Sequence, residues 1–140
     1  MSQENVDLVR NAFEAFASGG IVAALSFFPP DFVWYPTDRW LEGRAYRGHE
    51  GMRRLAAAFS DNFDGYSYEV HDVRDAGDRV VALLHMTGVI KNSELSVSQP
   101  LGLVASDFRD GMLGEVRAFP SWAEALEAVG LSEQDAHADS

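Results

Sequence analysis

The sequence predicts an α+β fold: a cone-shaped, curved sheet, antiparallel or mixed, that packs as a half-barrel against three helices from the N-terminal half, with a short C-terminal helix. Two patterns carry this prediction. Apolar residues recur at helical spacing in the first half of the chain, whereas positions 66–119 form long strand-like runs separated by turn residues. We expect one domain over residues 1–131 and an acidic, disordered tail over residues 132–140.

Three helices and one short strand are predicted before the long strands. Ser2 caps the first helix, Gly19-Gly20 stops it, and Pro29-Pro30 ends the second helix. In order, the predicted spans are helices over 3–18 and 21–27, a strand over 32–35 and a helix over 49–63.

Four strands form the predicted meander, and turn residues separate them. Their spans are 66–74, 79–90, 94–108 and 113–119. Gly111 in the left-handed conformation is expected to close a three-residue hairpin loop between the last two strands. The final helix begins with a capping box, in which the Ser121 side chain accepts the backbone N–H of Glu124, and it ends at Gly130.

The composition narrows the possible classes of function. The chain has no cysteine, which excludes disulfides, thiolate nucleophiles and cysteine-based zinc sites. The net charge of −11 disfavours nucleic acid as a partner, because phosphate binding requires clustered positive charge. The four histidines are dispersed, so no metal site is expected, and no cofactor motif is recognised. No signal peptide or membrane span is recognised either, which makes the cytoplasm the expected location.

Residues 31–54 carry the strongest functional signal. Four large aromatic side chains fall within thirteen residues of one another, just before a predicted helix: Trp34, Tyr35, Trp40 and Tyr46. So many rings predict the wall or lid of a pocket for a small organic molecule, with Trp40, Tyr46 and Asp38 as ligand contacts. The alternative is a loop pinned over the core by its own rings. The loop also carries charges that either orient a polar ligand or are simply solvated: Asp38, Arg39 and Glu42.

Six segments follow one another in an order that is typical of a known superfamily. They are NVDLVRNAFEAFASG, PPDFVWYP, YRGHEGMRR, AGDRVVALLHMTG, FRDGMLGEVRAF and SWAEALEAVGL, and together they cover nearly the whole chain. By these segments the chain resembles the nuclear-transport-factor-2-like superfamily, in its SnoaL-like (polyketide-cyclase-like) branch. The resemblance implies a curved sheet around a blind apolar pocket, and often a homodimer through the outer face of the sheet. It says little about function, since the fold hosts isomerases, hydrolases, dehydratases, cyclases and non-catalytic binders.

The active sites known from this superfamily do not carry over. By the resemblance, the base, the oxyanion-hole tyrosine and the protonated aspartate of ketosteroid isomerases fall at Tyr35, Ala12 and Val104. That chemistry needs a carboxylate and donors to the enolate, so it is not expected here. The catalytic positions of limonene-epoxide-hydrolase-like enzymes and of the cyclases also hold the wrong residue types: His85, Thr87, Ala118 and Val104.

Strand parity predicts which side chains face the pocket. With a three-residue loop, Val104 pairs with Val116, and Gly102 pairs with Ala118. The expected lining, with Phe16 and Phe59 from the helices, is Gly102, Val104, Ser106, Val116, Ala118, Val81, Leu83, His85 and Thr87. The opposite face would then be apolar, and a homodimer would cover it, or else helices or the tail would. Its residues are Val80, Ala82, Leu84, Met86, Leu101, Leu103 and Ala105.

His85 and Tyr35 are the predicted catalytic residues. The His85 imidazole can act as a general base or acid near neutral pH, and the Tyr35 phenol can donate to a substrate oxygen. Each also has a plainer explanation, namely a histidine bonded to a carbonyl or water, and a ring that fills space. His49 and His71 are weaker candidates.

The predicted function is therefore binding of a hydrophobic, oxygenated molecule of polyketide or terpenoid type. If the protein is an enzyme, we expect a cofactor-free isomerase, cyclase, dehydratase or hydrolase. The alternative is a non-catalytic ligand-binding or dimerisation module. A deep cavity that opens beside Trp40 would favour a ligand, whereas a small, dry and closed one would favour a structural role.

Overall fold

The computed structural model describes residues 3–37 and 45–131. In this part of the chain the elements follow the predicted order, with one short strand, β2, in addition. They are α1 (Gln3–Ala24), a 3₁₀ turn (Leu25–Phe27), β1 (Val33–Tyr35), β2 (Tyr46–Arg47), α2 (Gly48–Asn62), β3 (Phe63–Asp75), β4 (Val80–Ile90), β5 (Ser96–Arg109), β6 (Met112–Phe119) and α3 (Trp122–Ala128). The predicted cap Ser2 and the tail lie outside the described residues.

The strands form one mixed sheet in the order β2-β1-β6-β5-β4-β3. Neighbouring strands run antiparallel, except β1 and β6, which run parallel. The sheet is not closed into a barrel, since β2 and β3 lie at opposite ends of this order. The predicted class, a mixed sheet that packs against helices with a short C-terminal helix, is confirmed.

Each face of the sheet has its own core. On the concave face, strand residues such as Val80, Ala82, Leu103, Ala105 and Val116 pack with apolar residues of α1 and α2. On the convex face, a smaller core lies beneath α3: Val81, Leu83, Val104, Ala125 and Leu126. Because both faces are covered, every residue from 80 to 84 in β4 is buried.

α1 is interrupted where the sequence predicts its end. Gly19 has φ −143°, and Gly20 has φ 76° and ψ −167°, so two helical pieces meet at a kink. The positive φ at Gly20 favours glycine. The stretch Gln3–Phe27 has the length and hydropathy of a membrane span, but core helices pass the same test, and Val6 and Val9 pack in the core.

α3 begins at the predicted capping box. The backbone N–H of Glu124 donates to Ser121 Oγ at 3.2 Å, and the serine hydroxyl donates to Glu124 Oε2 at 2.8 Å. Trp122 then fixes the helix to the sheet, because its Nε1 donates to the carbonyl oxygen of Leu84 at 3.0 Å. These contacts dock α3 on the convex face.

The hairpin between β5 and β6 differs from the prediction. Its loop has two residues, Asp110 and Gly111, with φ values of 54° and 73°, where three were expected. An Asp-Gly pair favours this tighter turn, because both positions require positive φ. As a result, Val116 pairs with Ala105 and not with Val104.

This register reverses most of the predicted faces, since a slip of one residue moves every side chain of a strand to the other side. Val116 and Ala118 face the concave core as predicted. The apolar set expected outside lies there as well: Val80, Ala82, Leu84, Met86, Leu101, Leu103 and Ala105. The remaining strand residues expected inside lie on the convex face: Gly102, Val104, Ser106, Val81, Leu83, His85 and Thr87.

Near the turn, both strands change face. Asp107 has φ 58°, and it lies across from Gly114, where a Cβ would collide with the Asp107 carboxylate. Beyond this point Phe108 and Leu113 pair and pack toward the concave core, although they break the alternation of the residues before them.

Arg109 ties this irregular segment to the chain before β1. Its Nη2 donates to Asp31 Oδ1 at 2.7 Å and to Asp107 Oδ2 at 3.1 Å. The hydrogen bond from Arg109 holds the pKa of the Asp31 carboxyl below its usual value, and the two carboxylates raise the pKa of Arg109 in return.

Candidate functional site

A cavity of about 90 Å³ lies between α1, α2 and the concave face of the sheet. Helical spacing in α1 and α2 and alternation in the strands direct apolar side chains toward it. Each layer contributes, as shown by Val9 and Phe13 of α1, Leu55 and Phe59 of α2, and Ala105 and Val116 of the sheet.

Two polar atoms belong to side chains that line this cavity, the indole nitrogen of Trp34 and the phenol oxygen of Tyr68. Trp34 Nε1 is buried and has no hydrogen-bond partner. Burial raises the pKa of Tyr68, so its phenol stays protonated at neutral pH. Among the described residues, the lining contains no carboxylate, imidazole, amine or guanidinium group.

Three aromatic rings separate this cavity from a groove on the surface. Phe13, Phe16 and Tyr68 line both the cavity and a groove of about 420 Å³ between α1 and β3. The ring centroids of Phe16 and Tyr68 are 5.1 Å apart. We call these three side chains the ring partition. Gly20, at the kink of α1, also lines the groove.

The predicted ligand contacts fall in several places. Three of them line the cavity: Phe16, Phe59 and Val116. Ala118 shares their face of the sheet but does not line the cavity. Tyr46 lies in β2, where the guanidinium carbon of Arg54 is 5.7 Å from its ring centroid. Others lie outside the described residues: Trp40 and Asp38, with their neighbours Arg39 and Glu42.

Tyr35 lies on the convex face, which corrects its predicted position. In the parallel pairing of β1 with β6, Tyr35 lies beside Arg117, and Trp34 lies beside Val116. The guanidinium carbon of Arg117 is 4.1 Å from the centroid of the Tyr35 ring. Trp34 therefore lines the cavity, and the prediction that Tyr35 and His85 share one hollow is wrong.

His85 also lies on the convex face, beside the first residue of α3. Its ring centroid is 5.4 Å from that of Trp122, and its strand neighbour Leu83 packs beneath the helix. The predicted position in the pocket is wrong because His85 took its face from the register assumed for β5 and β6, which was off by one residue.

His85 belongs to a polar cluster on this outer surface. His85 Nδ1 lies 3.1 Å from His71 Nε2, which in turn lies 3.1 Å from Glu69 Oε1. A register shift between Val70 and Asp72 adds His71 to the face that already carries Glu69. No group of three metal-ligating side chains is found in the described part of the chain.

His49, the third described histidine, has a structural contact. Its Nε2 lies 2.8 Å from the carbonyl oxygen of Phe28, and this bond fastens the start of α2 to the end of the 3₁₀ turn.

Sequence reasoning named Trp34 among the rings of the pocket wall or lid without making it a ligand contact, and it did not name Tyr68. The alternation in β3 was available as a signal, since Tyr66, Tyr68 and Val70 alternate with polar residues. For Trp34 the signal was ambiguous, because an aromatic residue follows it on the opposite face of a three-residue strand.

A protein-family model described as a SnoaL-like domain matches residues 9–116. This chain belongs to the SnoaL-like family. The match extends from α1 into β6, and it confirms the resemblance that the sequence segments indicate. A comparison with curated proteins gives no match.

Three solved structures share the SnoaL-like fold. An NTF2-like protein of unknown function from Burkholderia pseudomallei K96243 has a TM-score of 0.74 at 19% identity and covers 91% of this chain and 98% of its own. A candidate SnoaL-like polyketide cyclase from Jannaschia sp. CCS1 has a TM-score of 0.69 at 23% identity, with coverages of 84% and 85%. A protein with a ketosteroid isomerase-like fold from Catenulispora acidiphila DSM 44928, in complex with trimethylamine, has a TM-score of 0.69 at 17% identity. It covers 91% of this chain and 95% of its own. At these identities the likeness shows the fold alone.

Proposed function

We propose that this SnoaL-like protein binds a small, mostly apolar molecule in the cavity between α1, α2 and the concave face. The lining carries the proposal: apart from the Trp34 indole and the Tyr68 phenol, the side chains around the cavity are apolar. Removal of apolar ligand surface from water contributes roughly 25 cal/mol per Å². Such a lining therefore supplies affinity without a charged partner.

The volume of the cavity limits the size of the ligand. An engineered apolar cavity of about 150 Å³ binds benzene, whereas the cavity here has about 90 Å³. A larger molecule requires the ring partition to move, which joins the cavity to the groove of about 420 Å³. The complex of the Catenulispora protein with trimethylamine agrees with a small ligand for this fold.

Binding fits this lining better than acid–base catalysis. Isomerisation, cyclisation, dehydration and hydrolysis each need a group that moves a proton near neutral pH. Tyr68 is the one titratable group among the described lining residues, and burial raises its pKa away from that range. We therefore favour the ligand-binding alternative over the isomerase, cyclase, dehydratase and hydrolase activities.

Thermal unfolding with small apolar compounds tests this proposal. Benzene, cyclopentane and cyclopentanone are expected to raise the unfolding midpoint with increasing concentration, because a ligand that binds the native state stabilises it. Ala105→Leu, which places a larger side chain in the cavity, should abolish the rise. Ala82→Val is a milder filling variant if Ala105→Leu does not fold.

Ala57→Leu is the matched control, since Ala57 is exposed on α2. This variant should retain the full response to ligand. The proposal fails if no compound of the panel stabilises the wild-type protein, or if Ala105→Leu and Ala82→Val respond as strongly as Ala57→Leu does.

A further inference from the structure

Trp34 Nε1 is the one buried side-chain polar atom without a hydrogen-bond partner among residues 3–37 and 45–131. Buried polar groups in folded proteins are nearly always paired, and an unpaired donor weakens the fold. The tryptophan of α3 shows the usual solution, because Trp122 Nε1 donates to the carbonyl oxygen of Leu84 at 3.0 Å. The unpaired indole N–H of Trp34 therefore needs a specific explanation.

The surroundings of Trp34 indicate what the indole lacks. Its ring lines the cavity, beside Val116 in the sheet and among apolar side chains of α1 and α2. The indole N–H is only a donor, so its missing partner must carry an acceptor atom. The described residues supply no such atom, whereas a ligand in the cavity would bring one.

We propose that the ligand of this cavity is a neutral compound with a carbonyl oxygen, and that this oxygen accepts the hydrogen bond of Trp34 Nε1. This inference rests on the proposed binding function and names the chemical class of the ligand. A carboxylate is excluded from the class because no cationic side chain lines the cavity in the described residues, and an unpaired buried charge is costly.

Two molecules of nearly the same shape separate the hydrogen bond from apolar burial. Methylenecyclopentane replaces the carbonyl oxygen of cyclopentanone with a CH₂ group. Both would be titrated into ¹⁵N-labelled protein while the indole N–H resonances are followed, and Trp34→Phe assigns the resonance of Trp34. We expect cyclopentanone to move this resonance downfield. Relative to methylenecyclopentane, the wild-type protein should bind cyclopentanone about tenfold more favourably than Trp34→Phe does, which corresponds to one hydrogen bond.

The variants complete the test. In Trp34→Phe the affinity ratio should shift about tenfold toward methylenecyclopentane, because the ketone oxygen is then buried without a partner. Trp122→Phe should keep the wild-type ratio, because Trp122 lies on the convex face. If Trp34→Phe does not fold, the movement of the Trp34 indole resonance on addition of cyclopentanone decides, and Trp40→Phe and Trp122→Phe assign that resonance by elimination.

The possible failures differ from one another. An unmoved Trp34 resonance, with the same affinity ratio in the wild type and in Trp34→Phe, overturns the hydrogen bond and leaves the apolar binding function intact. If neither of these ligands nor any compound of the apolar panel binds, the proposed function fails, and the inference fails with it.

Discussion

Gly102 is the residue that lets α3 approach the sheet closely. A Cβ at this position would collide with the Cβ of Ala125 in the helix. We therefore expect Gly102→Ala to displace α3 and to lower the free energy of unfolding by about 1–3 kcal/mol, as other overpacking substitutions do. Urea unfolding measures this loss as a lower midpoint with an unchanged m value.

Gly65 provides the matched control for Gly102. It also lies in a long strand, β3, but a Cβ there meets no atom within 4 Å. Gly65→Ala should leave the stability unchanged or raise it slightly, because alanine restricts the unfolded chain. An equal loss in both variants would contradict the role of the contact between Gly102 and Ala125.

Single residues also show where sequence reasoning stops. His85 was expected in the pocket from strand parity, whereas Tyr35 was expected there because the base of ketosteroid isomerases falls at this position by the resemblance. In β4, the convex face is apolar only beneath α3, at Val81 and Leu83. Beyond them, His85 and Thr87 are less buried than their neighbours on the concave face. In the three-residue β1, both candidates are aromatic. The assumed register of β5 and β6 outweighed the contrast in β4, and β1 offers no contrast between polar and apolar residues.

At the scale of elements, α1 and β3 control access to the cavity through the ring partition. Phe16 separates the cavity from the groove and contacts the ring of Tyr68. We expect Phe16→Ala to lower the free energy of unfolding by about 2–4 kcal/mol. It should also let a larger apolar molecule bind, since the two spaces would join. Naphthalene fluorescence in the presence of the variant measures this gain.

Phe27→Ala is the comparison for Phe16→Ala, because Phe27 packs on the same core without lining the cavity or the groove. It should lose stability without a gain in naphthalene binding. If both variants bind naphthalene equally well, Phe16 does not close the cavity.

The elements themselves were predictable, whereas their register was not. Helical periodicity, the Gly19-Gly20 stop and the capping box at Ser121 placed helices and breaks near their observed bounds. The turn between β5 and β6 was misjudged by one residue, and this alone reversed the faces of β5. The left-handed Asp107 opposite Gly114 adds a second change of face that no alternation pattern records.

At the scale of the whole molecule, the sequence was sufficient for the family and the fold, but not for the chemistry of the site. The ordered segments depend on many positions, so errors at a few do not affect the family assignment. The content of the cavity depends on which of two neighbouring side chains points inward, as with Trp34 and Tyr35. An error at one such position is enough to change the proposed function from catalysis to binding.

The homodimer through the outer face of the sheet remains a prediction, but its basis changes. The apolar residues that suggested it lie in the concave core, and α3 covers the middle of the convex face. The part left open beside α3 includes the exposed residues Thr87 and Ser98.

If this strip of the convex face forms a two-fold interface, Thr87→Glu brings like charges together and should convert the dimer to a monomer. Light scattering after size exclusion should then show two chains for the wild type and for the control Val22→Glu, which changes an exposed residue of α1. A monomeric wild type would rule out the interface.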